Sequence, residues 1–173
     1  MSCDYEALAA RGVQGLSPYQ PGKPVEEVAR EMGLDPEGII KLASNENPLG
    51  PSDRTLAAIR EAFPGATRYP DGSGYHLKRR LAERLGIDSD CLTLGNGSND
   101  VLELAARAFA EPGTEVVYSQ HAFAIYAIVA RAIGATGIEV PAVAYGHDLE
   151  AMADAVTERT RVVFVANPNN PTG

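Results

Sequence analysis

From Leu92 onward the chain alternates short, apolar, β-rich runs with longer segments of helical period. LTLG (92–95), EVVYS (115–119), TGIEVPAV (136–143) and RVVFVA (161–166) read as strands. Helices are predicted between them, to about Phe109, to about Ile133 and over DLEAMADAVTE (148–158). Strand, helix and strand in succession give a parallel sheet with right-handed crossovers. Strands apolar on both faces call for helices on both sides. The predicted fold class is therefore α/β, a three-layer, doubly wound, mostly parallel sheet.

Upstream the pattern is different. Residues 12–24, GVQGLSPYQPGKP, are too rich in glycine and proline to hold a long helix and read as an extended arm. PVEEVAREMG (24–33) has proline and paired glutamates in its first turn and glycine past its end, which predicts a helix. IIKLAS (39–44) reads as a strand leading into the loop NENPLGPS (45–52). Ser52 or Asp53 can cap the helix RTLAAIREAF (54–63). RYPDGSGYHLKRRLAERLG (68–86) is a turn-rich loop running into a basic helix. The longest apolar run, AFAIYAIVA (122–130), is too short to span a bilayer, is closed by Arg131, and reads as a core helix.

Composition narrows the partners. The 173 residues suffice for a real core, with 45% apolar and 22% charged residues. Fifteen basic against 23 acidic residues leave a net charge of −8, with no basic stripe to neutralise phosphates, so nucleic acid is not an expected partner. Cys3 and Cys91 lie in unrelated contexts that form neither a disulfide framework nor a zinc spacing, and no metal site is expected. The amino terminus MSCDYEALAARG lacks the basic-then-apolar pattern of a secretory signal, and a reducing cytoplasm is the expected location.

Three stretches carry chemistry. In LTLGNGSNDVLEL a strand breaks at Gly95 and Gly97 and a helix begins near Ser98 to Asp100, which points unpaired N–H groups at an anion such as phosphate. An ordinary turn capped by Ser98 or Asn99 is the alternative. In YSQHAFAIY the chain crosses the carboxyl edge of the sheet at Ser119 to Phe123, so Phe123 can lie over a planar ligand or join Tyr126 in a core stripe. Tyr126 reads as core, and His121, without a visible partner, as structural. In ANPNNPTG, Asn169 and Asn170 offer neutral amides on a proline-stiffened loop, or form a plain turn. Three such strand ends on one sheet face a common crevice.

SNENPLGPS, RYPDGSGYHLKRRLA, GNGSNDVLEL and ANPNNPTG, in that order, resemble the fold-type I pyridoxal-phosphate aminotransferases. GLSPYQPGKPVEEVAREMG with SQHAFAIY is similar, more narrowly, to the histidinol-phosphate aminotransferases, and the likeness runs from about Gly15 to Gly173. It implies that Gly97, Ser98 and Asn99 bind the cofactor phosphate, that Phe123 stacks on the pyridine ring, and that Asn170 bonds its phenolic oxygen. Tyr69 would reach the cofactor phosphate of a neighbouring subunit in a homodimer, while Tyr19 and Asn47 would border the substrate.

The implied reaction exchanges the amino group of histidinol phosphate with 2-oxoglutarate, giving glutamate, in histidine biosynthesis. Threonine-phosphate decarboxylases and aromatic aminotransferases share the same fold and cofactor contacts. Residues 1–50 would be the arm and the start of small-domain elements, and 51–173 the first part of the cofactor-binding large domain. The rest of the large domain and a small C-terminal domain are expected downstream. The resemblance implies that the Schiff-base lysine and the aspartate at the ring nitrogen lie downstream too, and none of Lys23, Lys41 and Lys78 is in the family position of that lysine. The 173 residues alone are then expected to be inactive in transamination and to self-associate. A non-catalytic module that binds a phosphorylated ligand is the reading from outside the enzyme class.

Overall fold

A computed structural model describes residues 4–173; Cys3 lies outside them. The described chain forms two compact units, one combining the residues up to Tyr19 with Thr93–Gly173, the other Gln20–Leu92.

The first unit is built on β1 (Glu115–Ser119), β2 (Thr136–Val140) and β3 (Thr160–Phe164), all parallel, in the order β2-β1-β3. β1 pairs from Glu115 with Thr136 to Ser119 with Val140 on one side, and Tyr118 lies opposite Phe164 on the other. Two helices cover one face: α5 (Ser98–Phe109) and α6 (Ile125–Ile133). Ala106 from α5 and Tyr126, Val129 and Ala130 from α6 pack there with Val116, Tyr118 and Phe164. α7 (Leu149–Asp154) covers the other face, where Met152 meets Val117 and Val140.

These are the predicted three layers, but only the central strand is buried along its whole length. β2 and β3 keep Glu139 and Arg161 exposed, and each is paired on one edge alone among the described residues. Tyr126 stacks on Phe164 at 4.5 Å and 10°, which confirms it as core. Its phenol, withdrawn from water, has its pKa pushed up. Short turns join the elements. Gly134 ends α6 in the left-handed conformation, with its N–H on the carbonyls of Ala130 and Arg131.

Two predicted strands are not strands. LTLG and IIKLAS run without ladder partners, Leu92 and Ile39 both holding extended dihedrals. β-propensity set their backbone, but a strand is defined by pairing, which no neighbour supplies among the described residues. One helix, α1 (Tyr5–Leu8), was not anticipated; Asp4 caps it by accepting from the Ala7 N–H.

The second unit holds α2 (Val25–Met32), α3 (Asp53–Ala62) and α4 (Tyr75–Leu85). Pro24 opens α2 and left-handed Gly33 closes it, as its sequence predicts. Of the two candidate caps for α3, the structure uses Ser52, whose hydroxyl accepts from the Thr55 N–H at 3.2 Å. Asp71 collects the N–H groups of Ser73 and Tyr75 and the Ser73 hydroxyl. The Ser73 bonds foremost hold its carboxyl below the usual carboxylate range.

Candidate functional site

Because the three strands are parallel, the loops that follow them emerge on one edge of the sheet. Side chains of the last loop tie all three together. The Asn169 amide nitrogen donates to the His121 carbonyl after β1 at 3.1 Å and to the Thr172 hydroxyl at 2.7 Å. The Thr172 hydroxyl donates in turn to the Tyr145 carbonyl after β2 at 2.9 Å. His147, also after β2, donates from Nε2 to the Ala166 carbonyl at 2.8 Å. Asn169 is 8% exposed, and its Oδ1 is a buried acceptor without a partner among the described residues.

This network divides the two asparagines. Asn169 holds the loop, and Asn170 is left to line a cavity of about 270 Å³ with Pro171, Tyr19, Ala122, Phe123 and Ala124. Within it Tyr19 meets the Phe123 ring edge-on at 5.9 Å and 82°. Phe123 in turn meets Tyr126 edge-on at 6.1 Å, so it belongs both to the cavity wall and to the border of the core. His121 is exposed, with φ of 57°, and its ring lies 5.2 Å from that of Tyr145. Its service to the site is through its backbone carbonyl.

The turn before α5 has the character its glycines suggest. Gly97 sits at φ 80°, ψ 179°, a region essentially closed to side chains, and no atom lies within 4 Å of where a Cβ would point. A Cβ on Gly95 would come 2.9 Å from both Asp100 Oδ2 and Val101 Cγ2. Asp100 accepts from the Asn96 N–H at 3.0 Å and so folds the turn back on the helix. Gly97 itself occupies the cap position, and no side chain among the described residues caps α5, contrary to the alternative of a Ser98 or Asn99 cap. The first-turn N–H groups, Ser98 and Asn99 among them, therefore face outward at the positive end of a 12-residue helix.

Of the sequence-predicted site residues, Tyr19, Phe123 and Asn170 come together in one cavity, and Gly97, Ser98 and Asn99 form the uncapped helix end of the same unit. Asn47 and Tyr69 belong to the other unit. The Asn47 side chain closes its own turn, accepting from the Leu49 N–H at 3.1 Å and donating to the Gly50 carbonyl at 3.2 Å. Tyr69 is fully exposed. Thr172 and His147 were missed from sequence, and Asn169, read there as a neutral amide beside Asn170, serves instead to tie the loop.

These residues fit pyridoxal phosphate in kind. An open, uncapped helix end suits a phosphate, an aromatic face suits a flat ring, and a neutral amide suits a phenolic oxygen. The site's unit contains no lysine at all, since Lys23, Lys41 and Lys78 fall in Gln20–Leu92. Lys23 is paired there with Glu31 and Lys41 with Glu46. No group of three or more His, Cys, Asp or Glu among the described residues could hold a metal, and no helix is long and apolar enough to cross a membrane.

Residues 37–173 match the family described as aminotransferase class I and II. The chain is 62% identical over 173 residues to histidinol-phosphate aminotransferase 2 of Pseudomonas fluorescens, covering all of this chain and 47% of that protein. It is 62% identical over 171 residues to histidinol-phosphate aminotransferase 2 of Nitrosospira multiformis, covering 99% of this chain and 43% of that one. The crystal structure of histidinol-phosphate aminotransferase from Sinorhizobium meliloti, in complex with pyridoxal-5'-phosphate, superposes with a TM-score of 0.78 at 29% identity, covering 94% of this chain and 43% of the other. The chain thus spans about half the length of the curated relatives it matches.

Proposed function

The chain belongs to the class I and II aminotransferases, and from that premise we propose that it serves amino-group transfer between histidinol phosphate and 2-oxoglutarate, with pyridoxal phosphate as cofactor. The observation that carries this reading is the cavity that gathers Tyr19, Phe123 and Asn170 at the carboxyl edge of the sheet. The fold-type I architecture and the 62% identity to histidinol-phosphate aminotransferases support it.

When bound, the cofactor supplies an electron sink for the substrate α-carbon. The residues of this chain hold and orient it. The N–H groups opening α5, at Gly97, Ser98 and Asn99, take the phosphate dianion; their positive end favours charge without the need of a basic side chain. Phe123 would offer its ring for stacking on the cofactor, and Asn170 would offer an amide hydrogen to the phenolic oxygen without adding charge. Tyr19 borders the phosphate of the substrate, and Asn47 the substrate itself. Tyr69 is available to a second copy, in a homodimer whose active sites are shared, and the whole works in the cytoplasm. Residues 51–173 then form the first part of the cofactor-binding domain, and 1–50 the arm and the start of small-domain elements.

With no lysine in the site's unit, the 173 residues are expected to bind the cofactor without turning over. Titration of the chain with pyridoxal phosphate, followed by absorbance and quenching, should give saturable, non-covalent binding. Phe123→Ala should weaken it by about three- to tenfold, the loss of one aromatic stack. Histidinol phosphate should compete for the cavity more strongly than threonine phosphate or phenylalanine. Absence of saturable cofactor binding would overturn the reading, and preference for either rival would reassign the substrate.

A further inference from the structure

The amino-terminal segment is fastened to the carboxyl end of α6. Residues 10–16 close on themselves, with the N–H groups of Val13 and Gln14 on the Ala10 carbonyl at 2.8 and 3.1 Å and that of Leu16 on the Val13 carbonyl at 3.0 Å. The Gln14 side chain braces the knot by donating to the Ala9 carbonyl at 2.8 Å. Arg131, in the last turn of α6, reaches across and donates to the Gln14 carbonyl at 3.0 Å. A cation there also complements the negative end of the helix. Gly12 lies so close to the same helix end that a Cβ would meet the carbonyl oxygens of Arg131 at 2.2 Å and Ala132 at 3.0 Å. From this knot only Ser17 and Pro18 lead to Tyr19, and Pro18 stiffens the step. Tyr19 then stands edge-on to Phe123 in the cavity wall.

We propose that Arg131 is a positioning residue: seated on the knot through Gln14, with Gly12 allowing the close approach, it latches the amino-terminal segment so that Tyr19 forms a wall of the cavity before any ligand arrives. Neither residue lines that cavity. The gain is preorganisation, since a free arm would have to be ordered each time a ligand binds. The functional consequence rests on the reading of the cavity given above; the latch does not.

The sequence contains no tryptophan, so Tyr19→Trp in the 173-residue chain gives a single fluorescent reporter at the latch-controlled position. Arg131→Ala, Arg131→Lys and Gly12→Ala are added to it in turn. The latch predicts that Arg131→Ala and Gly12→Ala shift the emission to the red and raise the acrylamide quenching constant about twofold, the ratio of a free side chain to one 45% exposed. Arg131→Lys should retain most of the parent emission, because an ammonium still donates to the Gln14 carbonyl. Far-UV circular dichroism and the thermal midpoint should stay close to the parent throughout.

Unchanged emission and quenching in both Arg131→Ala and Gly12→Ala would overturn the latch, as would a change that appears only together with loss of secondary structure. Titration of the same samples with histidinol phosphate should give a saturable emission change, weakened about tenfold by Arg131→Ala, the cost of ordering a freed side chain and its backbone. No response from the latched protein would overturn the assignment of Tyr19 to the ligand, and leaves the emission data without ligand to decide the latch.

Discussion

Glu115, at the start of β1, is 3% exposed and faces the Thr157 hydroxyl, which donates at 2.6 Å, and the guanidinium of Arg159, whose Nε donates at 2.9 Å. The Thr157 bond, then Arg159, holds its carboxyl below the usual carboxylate range despite the opposing effect of burial. A carboxyl whose pKa is lower folded than unfolded contributes stability that is present above its unfolded value and lost as pH falls through the folded one. Denaturant midpoints should therefore fall in the acid range, below the ordinary value of 4.5. Glu115→Gln should lower stability at pH 7 and flatten the acid limb; an acid limb as steep as that of the parent would remove Glu115 as its source. At Gly97 the backbone is the constraint, and Gly97→Ala should cost about 1–3 kcal/mol by chemical denaturation and weaken phosphate binding together. The break of the chain at Gly95 and Gly97 before α5 was legible in the sequence, whereas the partners of Glu115 lie more than forty residues away along the chain and left no local signal.

At the scale of elements, α6 carries the core. Tyr126 is 6% exposed and stacked between Phe164 and the edge of Phe123, so Tyr126→Ala should cost about 3–5 kcal/mol, read as a shift in denaturant midpoint. Tyr126→Phe, which keeps the ring, should cost far less; equal losses would mean that the hydroxyl rather than the stack is being measured. The loop after β3 is the other decisive element. Asn169→Ala removes its bonds to His121 and Thr172 and should cost about 1–3 kcal/mol while weakening cofactor binding through the displaced Asn170. Hydrogen exchange of Gly173, whose N–H donates to the Asn169 carbonyl at 2.8 Å, would report the loosening directly. Helical periods and caps were readable because they are local. LTLG and IIKLAS were misread as strands because pairing is not.

At the scale of the whole molecule, the sheet of the first unit ends on β2 and β3, each with one unpaired edge among the described residues. Val163 and Val165 are half-exposed along and just beyond β3. Open parallel edges with apolar side chains beside them favour association. Sedimentation velocity of the 173-residue chain should show concentration-dependent oligomers, whose fraction falls when Val163 is replaced by Lys; a clean monomer at high concentration would contradict this.

The sequence by itself determined what depends on neighbours along the chain. The alternation of β-rich and helical segments gave the parallel α/β plan, the glycine turn gave the start of α5 while leaving a side-chain cap open, and ordered motifs from Ser44 to Gly173 gave the family. Tertiary structure alone decided what depends on partners distant in the chain: which extended runs became strands, which asparagine pins the loop and which faces the cavity, and how an arginine on α6 fastens the segment that carries Tyr19. The physical reason is that propensity and periodicity are properties of a segment. Pairing, burial and the direction of a hydrogen bond are properties of two segments brought together, and residue order does not record their distance.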